Sequence, residues 1–126
     1  METGPQGMDR ESARRAFGWH MDHAQRVAPS DPSAAERERR HALGLAERFG
    51  LEREIAEACG ALSRQEVERH GAPVTERWLA RGLELSVRWP SYHAGLLELA
   101  GLHELERGEL EAAAERFTQA RAQGSA

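Results

Sequence analysis

The chain has 126 residues, 40% of them hydrophobic and 30% charged, a balance that reads as one ordered globular domain and excludes disordered or fibrous classes. Its net charge of −4 offers no general attraction to nucleic acid or anionic membrane, and the lone Cys59 excludes an intrachain disulfide or a cysteine zinc site. No apolar run approaches the roughly 18 residues of a membrane span, and the start "METGPQGM" lacks a signal-peptide core, so the default expectation is cytoplasmic.

Every basic side chain is arginine, which we read as codon usage in a GC-rich genome. Residues 1–8 are expected to form a flexible segment, followed by a single helical domain over 9–123. Breaks fall at "APSDPS", "FGL", "HGAP", "WPS" and "RGE". Between them apolar residues follow helical spacing and β-branched residues are scarce. Six helices are predicted, near 9–28, 33–48, 51–69, 74–88, 91–106 and 109–123.

The first helix contains "WHMDHAQR", in which His20 and His23 are helical neighbours with Asp22 between them. A His-x-x-His pair can serve a metal, but such sites need three or four ligands and no second cluster is fixed by the sequence. The Arg-rich stretches "RESARR" and "ERERRHA" interleave Glu with Arg, the pattern of a solvated, ion-paired face rather than a basic stripe. Nucleic acid is therefore disfavoured as a partner.

Ser33 is the predicted cap of the second helix, with Glu36 completing a capping box, and Gly50 sits where its C-terminus needs a left-handed residue. Ser91, after Pro90, is the predicted cap of the fifth. Tyr92, Leu96, Leu97, Leu99, Leu102 and Leu105 spread apolar character around that helix, which requires burial on several sides. Gly108 interrupts "HELERGELEAAAERF", a run of strong helix formers, and is assigned to the turn between the last two helices. Leu110, Ala113, Phe117 and Ala120 then form one inward stripe, and the polar remainder marks the sixth helix as the expected natural end of the domain.

The helices also repeat. "CGAL" aligns with "AGLH" through Gly60 and Gly101, "HALGLAERF" parallels "RGLELSVRW", and Leu79 and Gly82 match Phe117 and Ala120. A period of about 40 residues indicates a stacked helical repeat, with units near 9–49, 51–89 and 90–123. The predicted fold is all-α: three stacked antiparallel hairpins.

Residues 97–120 resemble a tetratricopeptide repeat (TPR) through Leu97, Ala100-Gly101, Gly108, Leu110, Ala113, Phe117 and Ala120. The match is looser over 51–88 and weakest over 9–48, and Glu104 and Leu105 stand where the family has aromatics. The long period is similar to the divergent repeats of large bacterial transcription activators. The resemblance implies an α-solenoid whose first-of-pair helices line a concave groove holding a peptide or helix of a partner protein. Stacked hairpins form such surfaces on physical grounds as well.

With each helix glycine taken as packed against its partner helix, the groove-facing residues are Arg15, Trp19 and Asp22; Glu57, Ala61 and Arg64; and Glu98, Leu102 and Leu105. His23 lies one turn from Trp19 and joins them. Leu102, Leu105 and Trp19 are the expected apolar anchors, with self-association as another way to cover the fifth helix. There is no phosphate loop, nucleophile motif or isolated carboxylate pair, so no catalytic residue, cofactor or metal is expected. The expected function is a non-enzymatic interaction module or adaptor. The alternatives are a small metal-binding protein using His20 and His23, or a regulatory subunit contacting nucleic acid through its Arg-rich helices.

Overall fold

Helix α1 (Arg10–Val27) begins at Asp9, whose side chain accepts the backbone N–H of Ser12 at 2.8 Å. In the computed structural model, which describes residues 8–125, five further helices follow: α2 (Pro32–Arg48), α3 (Glu52–His70), α4 (Glu76–Leu85), α5 (Pro90–Glu106) and α6 (Leu110–Ser125). The fold is all-α, and no strand occurs among the described residues. The expected flexible segment 1–8 lies, apart from Met8, outside them. The chain divides into two compact units, with the boundary between Ala58 and Cys59 inside α3.

In the first unit α1 and α2 pack as a hairpin. Ala13, Phe17 and Ala24 of α1 and Ala35, Ala42, Leu45 and Ala46 of α2 are buried. Methyl side chains dominate this seam, so the two backbones can approach closely. The predicted cap of α2 is corrected: Asp31, not Ser33, is the cap, accepting the Ala34 N–H at 3.0 Å. Proline favours the first helical position, so Pro32 takes that place and moves the cap one residue upstream of it.

Gly50 has φ +63° as expected. The N–H of Leu51 reaches Ala46 O at 2.9 Å and that of Gly50 reaches Glu47 O at 3.2 Å, which together form a Schellman motif. Arg10 Nη1 donates to the Phe49 carbonyl, tying the start of α1 to this turn. Leu51 and Ile55 are buried, and Glu54, only 5% exposed, holds Arg14 and Arg53 at 3.4 Å each.

The second unit is organised around Leu79, Leu96 and Leu99, with Val67, Leu83 and Leu102 packed against them. Helix α4 is shorter than predicted: a side chain holds its start, and backbone turns close its end. At its start the Glu66 carboxylate accepts the N–H groups of Val74 (2.9 Å) and Thr75 (3.0 Å) and the Thr75 hydroxyl (2.5 Å). This pins Val74 and Thr75 outside the helix and places negative charge at its positive end. At its far end Ser86 caps, and the Trp89 N–H closes a turn onto Ser86 O at 2.8 Å.

The predicted cap of α5 is likewise corrected. Trp89 occupies the cap position without a side-chain bond, and Pro90 is the first helical residue. Helices α5 and α6 form the last hairpin. Gly108 has φ +78°, and the N–H groups of Gly108 and Glu109 reach Leu105 O at 3.0 Å and Glu104 O at 2.9 Å, a second Schellman motif. That is the reason for a glycine among helix formers. Gly101 packs on α6 as predicted: a Cβ there would lie 2.7 Å from Phe117 Cε1. Ala113 and Ala120 are buried, but Leu110, expected in the same stripe, is 65% exposed. It is the first residue of α6, beside the turn, with no preceding helical turn to cover it.

Candidate functional site

Phe17 faces the core of the first unit, and Trp19, two positions later, is turned away from it and 56% exposed. Its indole is nevertheless held. The His23 ring stacks on it with centroids 5.1 Å apart and planes at 14°, and His20 meets it edge-on at the same separation. Both imidazoles point to α2, where one carboxylate serves both: His20 Nδ1 lies 3.0 Å from Glu38 Oε1 and His23 Nδ1 2.5 Å from Oε2. An ionised carboxylate only accepts, so each Nδ1–H donates. The His41 ring packs 4.4 Å from that of His20. Burial pushes the Glu38 carboxyl up, but the bonds and charges of His23 and His20 outweigh this and hold it below the usual carboxylate value.

His20 and His23 therefore act as props for Trp19, each with Nδ1 committed to Glu38. Among the described residues no group of three or more His, Cys, Asp or Glu side chains could hold a metal ion. Arg15 and Asp22 are exposed on α1, with Arg15 3.9 Å from Glu11 and 3.2 Å from the Ser12 hydroxyl. Glu57 is half-buried in the part of α3 that belongs to this unit.

The remaining predicted residues belong to the second unit. Arg64 is exposed and lies along α5, its Nη2 3.2 Å from where a Gly95 Cβ would stand. Ala61 is half-buried and Glu98 exposed. Leu105 is 44% exposed. Leu102 is not a free anchor: it is half-buried against Leu79, Leu96 and Leu99. Gly18 also departs from expectation, since nothing among the described residues lies within 4 Å of the place its Cβ would take.

The arginine-rich stretches are largely engaged in ion pairs and capping, including Arg14 with Glu54 and Arg40 with Glu36 at 3.0 Å. Four carboxylates, Glu38, Glu54, Glu66 and Glu104, escaped the sequence reading because each has a partner beyond the reach of helical spacing. In the second unit Glu104 Oε2 receives Arg116 Nε at 3.3 Å, and His103 bridges Pro73 O and Glu76 Oε1 at 3.1 Å each. The Ser86 hydroxyl and His93 Nδ1 are 2.9 Å apart. Ser86 is fully buried, so this pair fastens α4 to α5. Burial, and then the Arg116 charge, push the His93 imidazole below its usual value. No helix among the described residues is long and apolar enough to cross a membrane. No protein-family model, curated protein or solved structure matches the chain.

Proposed function

We propose that the chain is a non-enzymatic protein–protein interaction module, a TPR-like helical repeat, that engages a partner protein through a surface centred on Trp19. The observation that carries this reading is an indole 56% exposed yet pinned by two imidazoles that one carboxylate orients. A side chain held in advance loses little rotamer freedom when a partner covers it. Tryptophan is also among the residues most enriched at interface hot spots. Arg15 and Asp22 flank the indole with opposite charges, which set orientation and association rate more than raw affinity.

The test is a paired capture experiment with immobilised wild-type and Trp19→Ala proteins exposed to extracts of the source cells. The reading requires a partner held by the wild type and lost from the variant, with both proteins showing the same helicity. Identical sets of captured proteins on the two supports would overturn it.

A further inference from the structure

The solvent face of α1 carries Glu11, Arg15, Gly18, Trp19, Asp22 and Arg26, along one side of the helix, with steps of three and four residues on either side of the adjacent Gly18 and Trp19. Their order has a symmetry. Glu11 and Arg26 stand equally far from the Gly18–Trp19 peptide bond, and so do Arg15 and Asp22. Each acidic residue has a basic counterpart at the mirrored position. At the centre, the exposed indole is the counterpart of a glycine.

That glycine has no packing role among the described residues. A Cβ on Gly82 or Gly101 would collide with Leu96 or Phe117, whereas one on Gly18 would meet nothing among the described residues within 4 Å. Glycine weakens a helix interior relative to alanine. At Gly18 the bare backbone is left open beside Trp19, on the outside of the hairpin.

We infer that this face seats a second copy of the chain, in an antiparallel, two-fold contact of α1 against α1. The inference rests on reading Trp19 as a partner-binding residue and names the partner. A two-fold interface is self-complementary, so that if one residue meets another, the reverse contact also forms. With the axis through the Gly18–Trp19 bond, each indole lies over Gly18 of the other copy. Arg15 then faces Asp22 of the second copy, Glu11 faces Arg26, and each pair occurs twice. A parallel arrangement would set like charge on like and is excluded by the same sequence. The ion pair within α1 between Arg15 and Glu11 is long, 3.9 Å, with side chains 69% and 79% exposed, so it opposes the exchange only weakly.

The test uses charge exchange read by sedimentation velocity over a concentration series at low ionic strength. The wild type should show a reversible monomer–dimer equilibrium that weakens with added salt. Arg15→Asp and Asp22→Arg, each alone, should weaken it by about tenfold or more, because each sets like charges face to face. An equimolar mixture of the two variants should restore association, and so should the double variant Arg15→Asp/Asp22→Arg, since opposite charges meet again in both. Gly18→Leu should keep the monomer folded and remove the dimer. A wild type that stays monomeric throughout the series would overturn the inference. If Trp19-dependent capture of another protein were still seen, the interaction reading above would stand without it. A dimer that survives every variant, or single variants whose mixture fails to associate while each retains wild-type circular dichroism, would also overturn it.

Discussion

The carboxylate of Glu38 bridges from α2 to His23 on α1 at 2.5 Å while its other oxygen holds His20 at 3.0 Å. Its carboxyl is held below the ordinary value of 4.5, so its contribution to stability is present above that value and lost as pH falls through the lowered one. Glu38→Gln should lower the melting temperature at neutral pH by a few degrees and flatten the acid limb of the melting-temperature profile. Trp19 would lose its props, so the tryptophan fluorescence anisotropy, to which Trp78 and Trp89 also contribute, should fall as well. Unchanged profiles in both measurements would show that the clasp contributes nothing.

Gly101 and Gly44 should respond to substitution with opposite signs. A side chain at Gly101 collides with Phe117, so Gly101→Leu should cost about 1–3 kcal/mol in denaturant titration. Gly44, inside α2 with no other side chain or packed backbone among the described residues within 4 Å of its Cβ position, should gain about 0.5–1 kcal/mol as Gly44→Ala. Shortening Phe117 to Leu should recover part of the Gly101→Leu loss but leave Gly44→Ala unaffected.

Glu66 replaces an ordinary cap at the start of α4. Thr75 makes no side-chain capping bond to the helix, and its hydroxyl instead donates to Glu66. Removing the carboxylate with Glu66→Ala leaves the Val74 and Thr75 N–H groups without their acceptor, at a cost of about 1–2 kcal/mol. Hydrogen exchange should accelerate first at those two amides and at the opening turn of α4. Glu66→Gln, which keeps one accepting oxygen, should fall between the two.

Leu102 and Leu105 are separated by one helical turn and should behave differently. Leu102→Asp puts a charge against Leu79, Leu96 and Leu99 and should cost about 2–4 kcal/mol. Leu105→Asp should change stability by about 0.5 kcal/mol or less, because the side chain is 44% exposed. Equal losses from the two in chemical denaturation would place Leu105 in the core.

The contrast shows where sequence reading reached its limit. Gly50 and Gly108 were legible because a helix ending among good helix formers needs a residue that tolerates positive φ, and local spacing reveals it. The caps at Asp31 and Trp89 were local signals too, misassigned to Ser33 and Ser91 because the preference of proline for the first helical position was given less weight than a serine hydroxyl. Leu102 and Leu105 were not separable, since α5 is apolar around most of its circumference and periodicity then has no preferred side. Glu38 was invisible for another reason: its importance depends on the register of α2 against α1, which no spacing within either helix sets.

Cys59 is fully sealed from solvent, and its Cβ lies 3.2 Å from where a Gly82 side chain would begin. Only a solvent-exposed thiolate reacts with an alkylating reagent, so modification must wait until the packing around Cys59 opens. As the sole sulfhydryl in the chain, it reports that event without competing signals. When reclosing outpaces alkylation, the labelling rate in native buffer, divided by the rate for a fully exposed thiol, gives the equilibrium constant and so the free energy of opening. The second unit thus carries an internal gauge of its own breathing, readable by mass spectrometry without denaturant.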